Sequence, residues 1–302
     1  MDTDATPHPY PHVEPVLRSV TQVLKGMSKT RSPQFCTLKA RLGSKMLPDD
    51  TGRRRFVSGV EEAVMANLLC RLETSDVWSS VTPWTQSVDR TYLLQTGLQV
   101  LTTCDTPVNK DGTPTYVVNH VMQSDVSHVD LQWANVNPAC MLCRSDDTAC
   151  AVRVSVTHDE PVFDEEIQER VDEMTRVDVR QRRCFLYTPS SESRAVWSID
   201  VSLIWRSTTY LDALHSMCNR GVPLYTIELR CLQPLEYLAR LENNYAKLAL
   251  SFVLKVADLF DAGTTLGLAK SGCRLVTDRA IVKSAPTTTP TTTPTPTPTT
   301  VS

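Results

Sequence analysis

The chain has 302 residues, of which 41% are hydrophobic and 22% are charged, and its formal net charge at pH 7 is −3. This composition is typical of a globular protein that is long enough for one large domain or two small ones. The near-neutral charge argues against a general nucleic-acid coat, so recognition of a polyanion requires locally concentrated basic residues. Neither GxxxxGK[ST] nor GxGxxG occurs, which excludes the common glycine-rich phosphate-binding loops.

The N-terminal stretch MDTDATPHPYPHVEP is polar and broken by proline, and it does not have the pattern of a signal peptide. No apolar run of about 18 residues occurs, so no membrane span is predicted. We therefore expect a nuclear or cytoplasmic protein whose cysteines are thiols. Residues 1–30 are predicted to form a mobile leader, with a short helix around VLRSVTQVLKGM.

The stretch FCTLKARLG, residues 35–43, predicts a strand with one apolar and one cationic face. Thr37, Lys39 and Arg41 alternate along it with Leu38 and Ala40. Four later segments repeat this alternation, namely CAVRVSVT, VDVRQRR, WSIDVSLIW and YTIELRCL. Their polar faces carry Arg153 and Ser155; Asp178, Arg180 and Arg182; Ser198, Asp200 and Ser202; and Thr226, Glu228 and Arg230.

Two helices are predicted from apolar residues that recur at steps of three and four. The first is expected to begin at Ser58, with Glu61 completing a capping box. The second is expected to follow Pro234 and to end at Gly263. Their packing stripes are Val60, Val64, Leu68 and Leu72 for the first, and Leu238, Leu241, Tyr245, Leu248, Phe252, Val256 and Leu259 for the second.

The segment from residue 284 to 302 is a charge-free tract of threonine and proline, which is predicted to be a disordered tail. A zinc site is a further hypothesis, since Cys140 and Cys143 form a CxxC pair that Cys150 and His158 follow. No second closely spaced cysteine pair accompanies it, so this pattern is a weak indication of zinc.

Two architectures account for the alternating strands. In a sandwich or half-covered sheet the polar faces contact water, as they often do in antiparallel sheets. In a closed barrel with the inverted pattern, apolar faces pack outward under helices and polar faces line the interior. The alternation alone favours the half-covered sheet, although the repeated placement of arginine, aspartate and glutamate at strand centres favours the barrel.

If the polar faces converge, they enclose more cations than carboxylates, which is costly unless a ligand fills the space. A phosphate chain is the natural occupant, because guanidinium groups match phosphate oxygens in bidentate geometry. The carboxylates would then hold a divalent cation that bridges the phosphates, or position a water molecule. The phosphate-binding residues would be Lys39, Arg41, Arg153, Arg180, Arg182 and Arg230, with Asp178, Asp200 and Glu228 beside them.

The segments LKARLG, FVSGVEEAVMANLL, SVDRTY, VRVSVTHDEPV, VRQRRCF, WSIDVSLI and YTIELRC occur in this order over about residues 35–232. In order and spacing they resemble the fungal and viral RNA 5′-triphosphatases of mRNA capping, the β-subunit-type or triphosphate tunnel (CYTH-like) metalloenzymes. The resemblance implies an α+β, mainly β fold: a closed antiparallel eight-stranded tunnel-like barrel with flanking helices. The barrel domain is expected over residues 31–235, and a C-terminal helical segment that packs on it over residues 236–283.

The resemblance also implies an activity, which is removal of the γ-phosphate from 5′-triphosphate RNA with Mg²⁺ or Mn²⁺ as cofactor. Arg180 and Arg182 match the Lys-x-Arg pair that clamps phosphate in the family. The catalytic candidates are Asp200 and Ser202, which match an Asp-x-Thr pair, and Glu228, which matches a metal-binding glutamate. The implied partners are 5′-triphosphate RNA or a nucleoside triphosphate and a guanylyltransferase subunit; a homo-oligomer is compatible, and no membrane partner is expected.

The presumed metal site departs from the family pattern. Thr37 and Lys39 stand where the first strand of the family has Glu-x-Glu, and Thr226 and Arg230 stand where further glutamates flank Glu228. Hard oxygen ligands are then too few for a divalent cation to bind well.

Gln99 also stands where the family has an arginine after SVDRTY. Two hypotheses follow from these departures. Lys39 and Arg230 replace the charge of the metal in a metal-independent phosphate binder or slow phosphohydrolase, since basic side chains can stabilise a transferred phosphoryl group. Alternatively, the tunnel has lost its chemistry and is a pseudoenzyme that binds phosphate or RNA ends, or that serves as a scaffold in capping.

Overall fold

The computed structural model describes residues 13–26, 32–48, 54–94, 99–105, 117–132, 151–162, 171–188, 196–233, 235 and 245–264. Four α-helices lie in these residues: α1 (Val13–Gly26), α2 (Glu62–Thr74), α3 (Tyr210–Cys218) and α4 (Tyr245–Thr264), with a 3-10 turn over Pro33–Phe35. The strands are β1 (Cys36–Pro48), β2 (Arg54–Ser58), β3 (Ser80–Val81), β4 (Thr85–Leu94), β5 (Gln99–Asp105), β6 (Val117–Gln132), β7 (Ala151–Pro161), β8 (Val171–Tyr187), β9 (Trp197–Ser207) and β10 (Leu224–Cys231).

Eight of these strands close into an antiparallel barrel in the order β1, β10, β9, β8, β4, β5, β6 and β7, after which β7 pairs with β1. The closing pair joins the first and last of the described strands and sets Lys39 opposite Arg230 and Arg41 opposite Glu228. Strands β2 and β3 lie outside the ring, paired with β1 and β8. The predicted closed eight-stranded antiparallel barrel, mainly β with flanking helices, is therefore confirmed.

Burial on both faces of the strands distinguishes this barrel from a half-covered sheet. Every residue of β9 from Trp197 to Trp205 is buried, although polar and apolar residues alternate along it. Ile199 and Val201 pack in the hydrophobic core outside the barrel, whereas Ser198 and Asp200 face the enclosed lumen. A half-covered sheet leaves one of these faces wet, so the solvated-sheet interpretation is wrong for this strand.

The hydrophobic core lies between the outer face of the barrel and the helices that cover it. Helices α1 and α2 both pack against α4, and they also contact strands of the barrel. Leu38 on β1, Val154 on β7 and Leu229 on β10 belong to this core and are almost fully buried. Burial of each such side chain contributes about 1.5–3 kcal/mol, so the apolar faces stabilise the barrel from outside.

The N-terminal segment is more than the predicted leader. Its short helix exists as α1, and Val16, Val20, Val23 and Leu24 on one face of that helix are buried in the core. Their spacing brings them to one side of a helix, which is the pattern of a packed amphipathic helix. Residues 13–26 therefore belong to the folded domain, while the rest of the predicted leader lies outside the described residues.

Helix α2 begins later than the capping pattern predicts. Ser58 ends β2, and Glu61 is the N-cap residue with extended backbone and no capping hydrogen bond from its side chain. Gly59 has a φ of 102°, a conformation that favours glycine, and it turns the chain out of β2. The predicted capping box is therefore wrong, but the predicted stripe Val60, Val64, Leu68 and Leu72 is buried.

Helix α4 continues through Gly263 to Thr264, so this glycine does not end it as predicted. Its residues Leu248, Phe252, Val256 and Leu259 are buried as the pattern predicts. The start predicted after Pro234 and the tail over residues 284–302 lie outside the described residues. None of the described helices is both long and apolar enough to span a membrane.

Candidate functional site

The inward faces of the strands bring the predicted site residues into one lumen. Lys39 lies between Ser155 of β7 and Arg230 of β10. The other inward neighbours follow from the register: Arg41 lies between Arg153 and Glu228, Glu228 is opposite Asp200, Thr226 is opposite Ser202, and Ser202 is opposite Arg182. The closed ring therefore converts five separate sequence patterns into one charged interior.

Glu228 is the most tightly held carboxylate of this interior. Its Oε2 atom accepts hydrogen bonds from Nη2 of Arg41 at 2.6 Å and from Nε of Arg41 at 3.0 Å. Its Oε1 atom accepts a short hydrogen bond from Nε of Arg230. Burial alone raises the pKa of Glu228, but Arg230, Arg41 and Lys39 outweigh it and hold the pKa well below its ordinary value. Both carboxylate oxygens are therefore occupied by guanidinium groups.

Asp200 is buried beside this group and has fewer partners. Its Oδ2 atom lies 3.3 Å from Nε of Arg230. Burial, together with the charge of Asp200, raises the pKa of Cys184 to about 12. The neutral thiol of Cys184 donates a hydrogen bond to Asp200. Ser202, which was predicted to act with Asp200, is 3% exposed and lies two residues further along the same inward face.

Lys39 reaches a carboxylate that the sequence analysis did not include. Its Nζ atom lies 2.7 Å from Oδ2 of Asp159 on β7, and the other oxygen of Asp159 accepts a hydrogen bond from Gln123 at 2.8 Å. Burial alone raises the pKa of Asp159, yet the charge of Lys39 and these hydrogen bonds lower it overall. Lys39 is therefore a paired cation, and its carboxylate comes from a neighbouring strand.

Arg153 marks one end of the lumen. Its guanidinium makes two parallel hydrogen bonds to Asp130 on β6, at 2.7 and 2.8 Å, and lies 5.0 Å from the ring centre of Phe56. Phe56 packs on Gly43, where an added Cβ atom would be 2.4 Å from the ring. Because Gly43 has no side chain, the aromatic ring of β2 can cover this end of the inward face of β1.

A second group of charges lies on β4, β8 and β9. Nη2 of Arg180 is 2.8 Å from Oδ2 of Asp89, and Arg206 holds Asp178 with two hydrogen bonds of 2.8 and 3.0 Å. Nε of Arg176 also lies 3.4 Å from Oδ2 of Asp178. Burial lowers the pKa of Arg176 although Asp178 acts to raise it, and the charges of Arg206, Arg180 and Arg41 lower it further. Since Arg41 is on β1, the two groups of charges influence each other across the lumen.

Arg182 lies between these groups and differs from the other cations. It is opposite Ser202 on β9 and Thr85 on β4, and its side chain is partly buried. Within the described part of the chain, its guanidinium forms no ion pair, whereas every other lumen cation named above is paired. Arg182 therefore has donors available for a bound anion.

Five lumen residues were missed from the sequence: Asp89, Asp130, Asp159, Arg176 and Arg206. Asp159, Arg176 and Arg206 continue the alternations of their own strands beyond the stretches that defined the polar faces, so longer windows would have found them. Asp89 stands in the SVDRTY segment, where alternation with Ser87 and Thr91 was the available signal. Asp130 carried no such signal, since it follows an irregularity in β6.

A divalent cation does not fit the described donor set. Glu228, the predicted ligand, has both oxygens bound to arginine, and Asp200 and Asp159 have their own cationic partners. No group of three or more histidine, cysteine, aspartate or glutamate residues in the described part of the chain could hold a metal ion. Mg²⁺ and Mn²⁺ prefer several hard oxygen ligands, and here they would have to displace guanidinium groups to find them.

Three positions that depart from the family pattern, Thr37, Thr226 and Gln99, contribute no described charge to the lumen. Thr37 is opposite Thr157, and Thr226 is opposite Ser202, so both threonines face the lumen without adding charge. Gln99 begins β5 and is opposite Leu93, but its side chain lies outside the described residues. The hypothetical zinc cluster cannot be placed, because only His158 of its members is described.

Among the side chains that the structure describes, eight cations and six carboxylates face the lumen, and the eight strands close around them, with Arg41, Arg176 and Arg206 between 41% and 49% exposed. The cations are Lys39, Arg41, Arg153, Arg176, Arg180, Arg182, Arg206 and Arg230, against Asp89, Asp130, Asp159, Asp178, Asp200 and Glu228. Enclosed guanidinium groups bind anionic oxygens strongly, because hydrogen bonds between ions strengthen when water is excluded. The arrangement is suited to an anion with several negatively charged oxygens.

No protein-family model and no curated protein matches the chain. Among solved structures, the triclinic form of the Mimivirus capping enzyme triphosphatase matches with a TM-score of 0.47 at 8% identity, over 82% of this chain and 98% of that chain. The monoclinic form of the same protein matches with a TM-score of 0.45 at 9% identity, over 82% of this chain and 98% of that chain. The RNA triphosphatase domain of the trifunctional Mimivirus mRNA capping enzyme matches with a TM-score of 0.44 at 9% identity, over 83% of this chain and 98% of that chain. In all three cases the likeness to a Mimivirus capping triphosphatase has a TM-score below 0.5 and an identity of 8–9%.

Proposed function

We propose that the lumen binds the 5′-triphosphate end of RNA, and that the protein is a triphosphatase-type protein of mRNA capping. The observation that carries the proposal is Arg182, a lumen guanidinium without an ion pair among the described residues. An enclosed cation of this kind is costly when it is empty and favourable when an anion meets it.

The positions of the arginines favour a chain of phosphates over a single anion. Arg182 stands between Arg180 on one side and the Arg230 group on the other, because Thr226 and Ser202 link their strands in register. A ligand with charges distributed along its length is better suited to contact all three than a single carboxylate or phosphate. The choice of RNA as the carrier of the triphosphate follows the Mimivirus domain, which is described as an RNA triphosphatase.

The test is binding of short RNA that ends in a 5′-triphosphate, compared with the same RNA ending in a 5′-hydroxyl group. Arg182→Gln removes the available guanidinium, and we expect it to weaken triphosphate-RNA binding at least about tenfold, since hydrogen bonds to charged groups contribute about 1.5–3 kcal/mol. Binding to the 5′-hydroxyl RNA should be weak in both proteins. Fluorescence anisotropy with labelled RNA measures these affinities.

Arg183→Gln is the matched control for this experiment. Arg183 is the next residue of β8, but it faces outward, where it pairs with Glu73 and lies near the ring of Phe185. The same substitution on the opposite face should leave triphosphate binding unchanged. Equal binding by wild type and Arg182→Gln, or equal loss in both variants, would contradict the proposal.

Hydrolysis of the γ-phosphate is a second candidate function, and Asp200 favours it. This buried carboxylate has one 3.3 Å contact with Arg230 and a thiol donor, so it has acceptor capacity left for a water molecule. A carboxylate that orients water next to bound phosphate is suited to phosphohydrolysis. Release of labelled γ-phosphate by wild type, with Asp200→Asn losing at least about a hundredfold in rate, is the expected result if the lumen is catalytic. No release by wild type would leave binding as its function.

A further inference from the structure

We infer that the tunnel takes its triphosphate as the metal-free anion, because arginine and lysine side chains occupy the lumen carboxylates to which a divalent cation would otherwise bind. The inference rests on the proposed function and specifies the chemical form of the ligand. It also predicts that Mg²⁺ opposes binding instead of supporting it.

The environment of Glu228 leaves no oxygen of this carboxylate open to a metal ion. Arg41 binds one of its oxygens and Arg230 binds the other, so no lone oxygen faces the lumen without a cationic donor. A divalent cation at Glu228 would have to displace a guanidinium and would then lie beside it. Like charges at that distance repel, and the enclosed lumen screens them weakly.

The other described carboxylates of the lumen are paired on at least one oxygen, although Oδ1 of Asp89 is buried without a hydrogen-bond partner. Each one has a cationic partner at hydrogen-bond or ion-pair distance: Asp159 with Lys39, Asp130 with Arg153, Asp89 with Arg180, Asp178 with Arg206, and Asp200 with Arg230. These pairs come from different strands of the barrel, so they do not depend on one local irregularity. The described lumen thus neutralises its own carboxylates with side chains.

Mg²⁺ also changes the ligand itself. Mg²⁺ on a triphosphate removes two negative charges from it and keeps several tightly bound waters. The complex therefore offers fewer anionic oxygens to Arg182 and its neighbours, and it places a cation near Arg41 and Arg230. The free anion makes more charge-assisted hydrogen bonds in the same space. The lowered pKa of Glu228 agrees with this, since its charge is already balanced by arginine before any ligand binds.

The first experiment measures the affinity of the full chain for inorganic tripolyphosphate by isothermal titration calorimetry, once with a chelator and once with excess Mg²⁺. We expect binding with the chelator and affinity weaker by about tenfold or more with Mg²⁺, which corresponds to the loss of one charged hydrogen bond. Equal or tighter binding with Mg²⁺ would overturn the inference.

The second experiment uses the metal alone and does not depend on phosphate binding. Arg230→Glu removes one guanidinium from Glu228 and sets a second carboxylate beside it, which creates a pair of hard oxygen ligands. We expect Mn²⁺ to raise the melting temperature of this variant and to leave that of the wild type unchanged. Arg55→Glu, on the exposed side of β2, is the control for the same change of charge and should not respond. A rise in the wild type would overturn the inference.

The outcomes separate this inference from the proposed function. Binding of tripolyphosphate only in the presence of Mg²⁺ would leave the proposed function standing and refute the metal-free form. An absence of binding under both conditions would refute both, since the inference needs a phosphate ligand. If Arg230→Glu fails to fold by circular dichroism, the wild-type comparison with and without Mg²⁺ still decides the matter.

Discussion

At the scale of single residues, Glu228 restrains two of the cations that a phosphate ligand would contact. Its carboxylate is 8% exposed and holds Arg41 on one oxygen and Arg230 on the other. Because a carboxylate competes with phosphate for the same guanidinium donors, this residue should stabilise the protein while limiting its affinity for anions. The two effects have opposite signs and can be separated by one substitution.

Glu228→Gln should therefore destabilise the protein and tighten phosphate binding. We expect a loss of about 2 kcal/mol in the free energy of unfolding, below the usual cost of breaking a buried ion pair because Arg41 is half exposed. The affinity for tripolyphosphate should rise several-fold, since two guanidinium groups become available. Urea denaturation and calorimetry measure the two quantities.

Glu73→Gln is the control, because it removes the carboxylate of an ion pair with Arg183 on the outer face. It should change neither the affinity nor, by more than about 1 kcal/mol, the stability, as is typical of partly exposed pairs. Weaker tripolyphosphate binding in Glu228→Gln would mean that Glu228 helps to form the binding site instead of restraining it.

At the scale of elements, α1 is the part whose role changes most between sequence and structure. Leu24 and Val20 of this helix are fully buried, and the helix contacts α4, β6 and β7. Gly26 at its end lies against Ser127, whose hydroxyl group donates a hydrogen bond to the carbonyl of Val23. The helix is therefore anchored by apolar burial along its face and by a polar contact at its C-terminal turn.

Leu24→Ala should lower the free energy of unfolding by about 2–4 kcal/mol, because it removes buried methyl groups and leaves a cavity. Gln22→Ala, on the exposed face of the same helix, should cost less than about 0.5 kcal/mol. Chemical denaturation of both variants measures the difference. Equal stability of the two would show that α1 is the mobile leader that the composition of its segment predicts.

The strand faces were predictable because alternation needs only a window of a few residues. The faces around Lys39, Arg182 and Glu228 were found in this way, and all of them line the lumen. Closure was not readable from the same signal, since the pairing of β1 with β10 joins residues almost two hundred positions apart, such as Arg41 and Glu228 with a separation of 187. The alternation itself is the same in sequence whether the polar face contacts water or an enclosed lumen.

The partner of Arg153 shows a second limit of sequence analysis. The pairing of β6 with β7 shifts register between Asp125 and Ser127, which reverses the alternation of the residues that follow. Asp130 faces the lumen only because of this irregularity, and a strict period of two assigns it to the wrong side. Such a shift depends on packing against the neighbouring strand, so it leaves no periodic signal.

At the scale of the whole molecule, the ion pairs of the lumen make stability depend on pH. The pKa of Glu228 is well below its ordinary value, since Arg230, Arg41 and Lys39 outweigh the effect of burial. The pKa of Asp159 is also lowered, because Lys39 and hydrogen bonds outweigh its burial. In the unfolded chain both carboxyl groups have ordinary pKa values of about 4.

Between the folded and unfolded pKa values the unfolded chain binds more protons, so stability rises with pH over this window. The contribution of Glu228 and Asp159 is fully present above about pH 5 and is lost as the pH falls below about 4 toward the folded pKa values. We expect the melting temperature to be level from pH 7 to pH 5 and to fall steeply below about pH 4. The melting temperature of Glu228→Gln should be lower than that of the wild type at pH 7 and should fall less steeply on acidification, since one of the two groups no longer titrates. A wild-type melting temperature that stays level on acidification through this window would contradict the ion-pair account of the lumen.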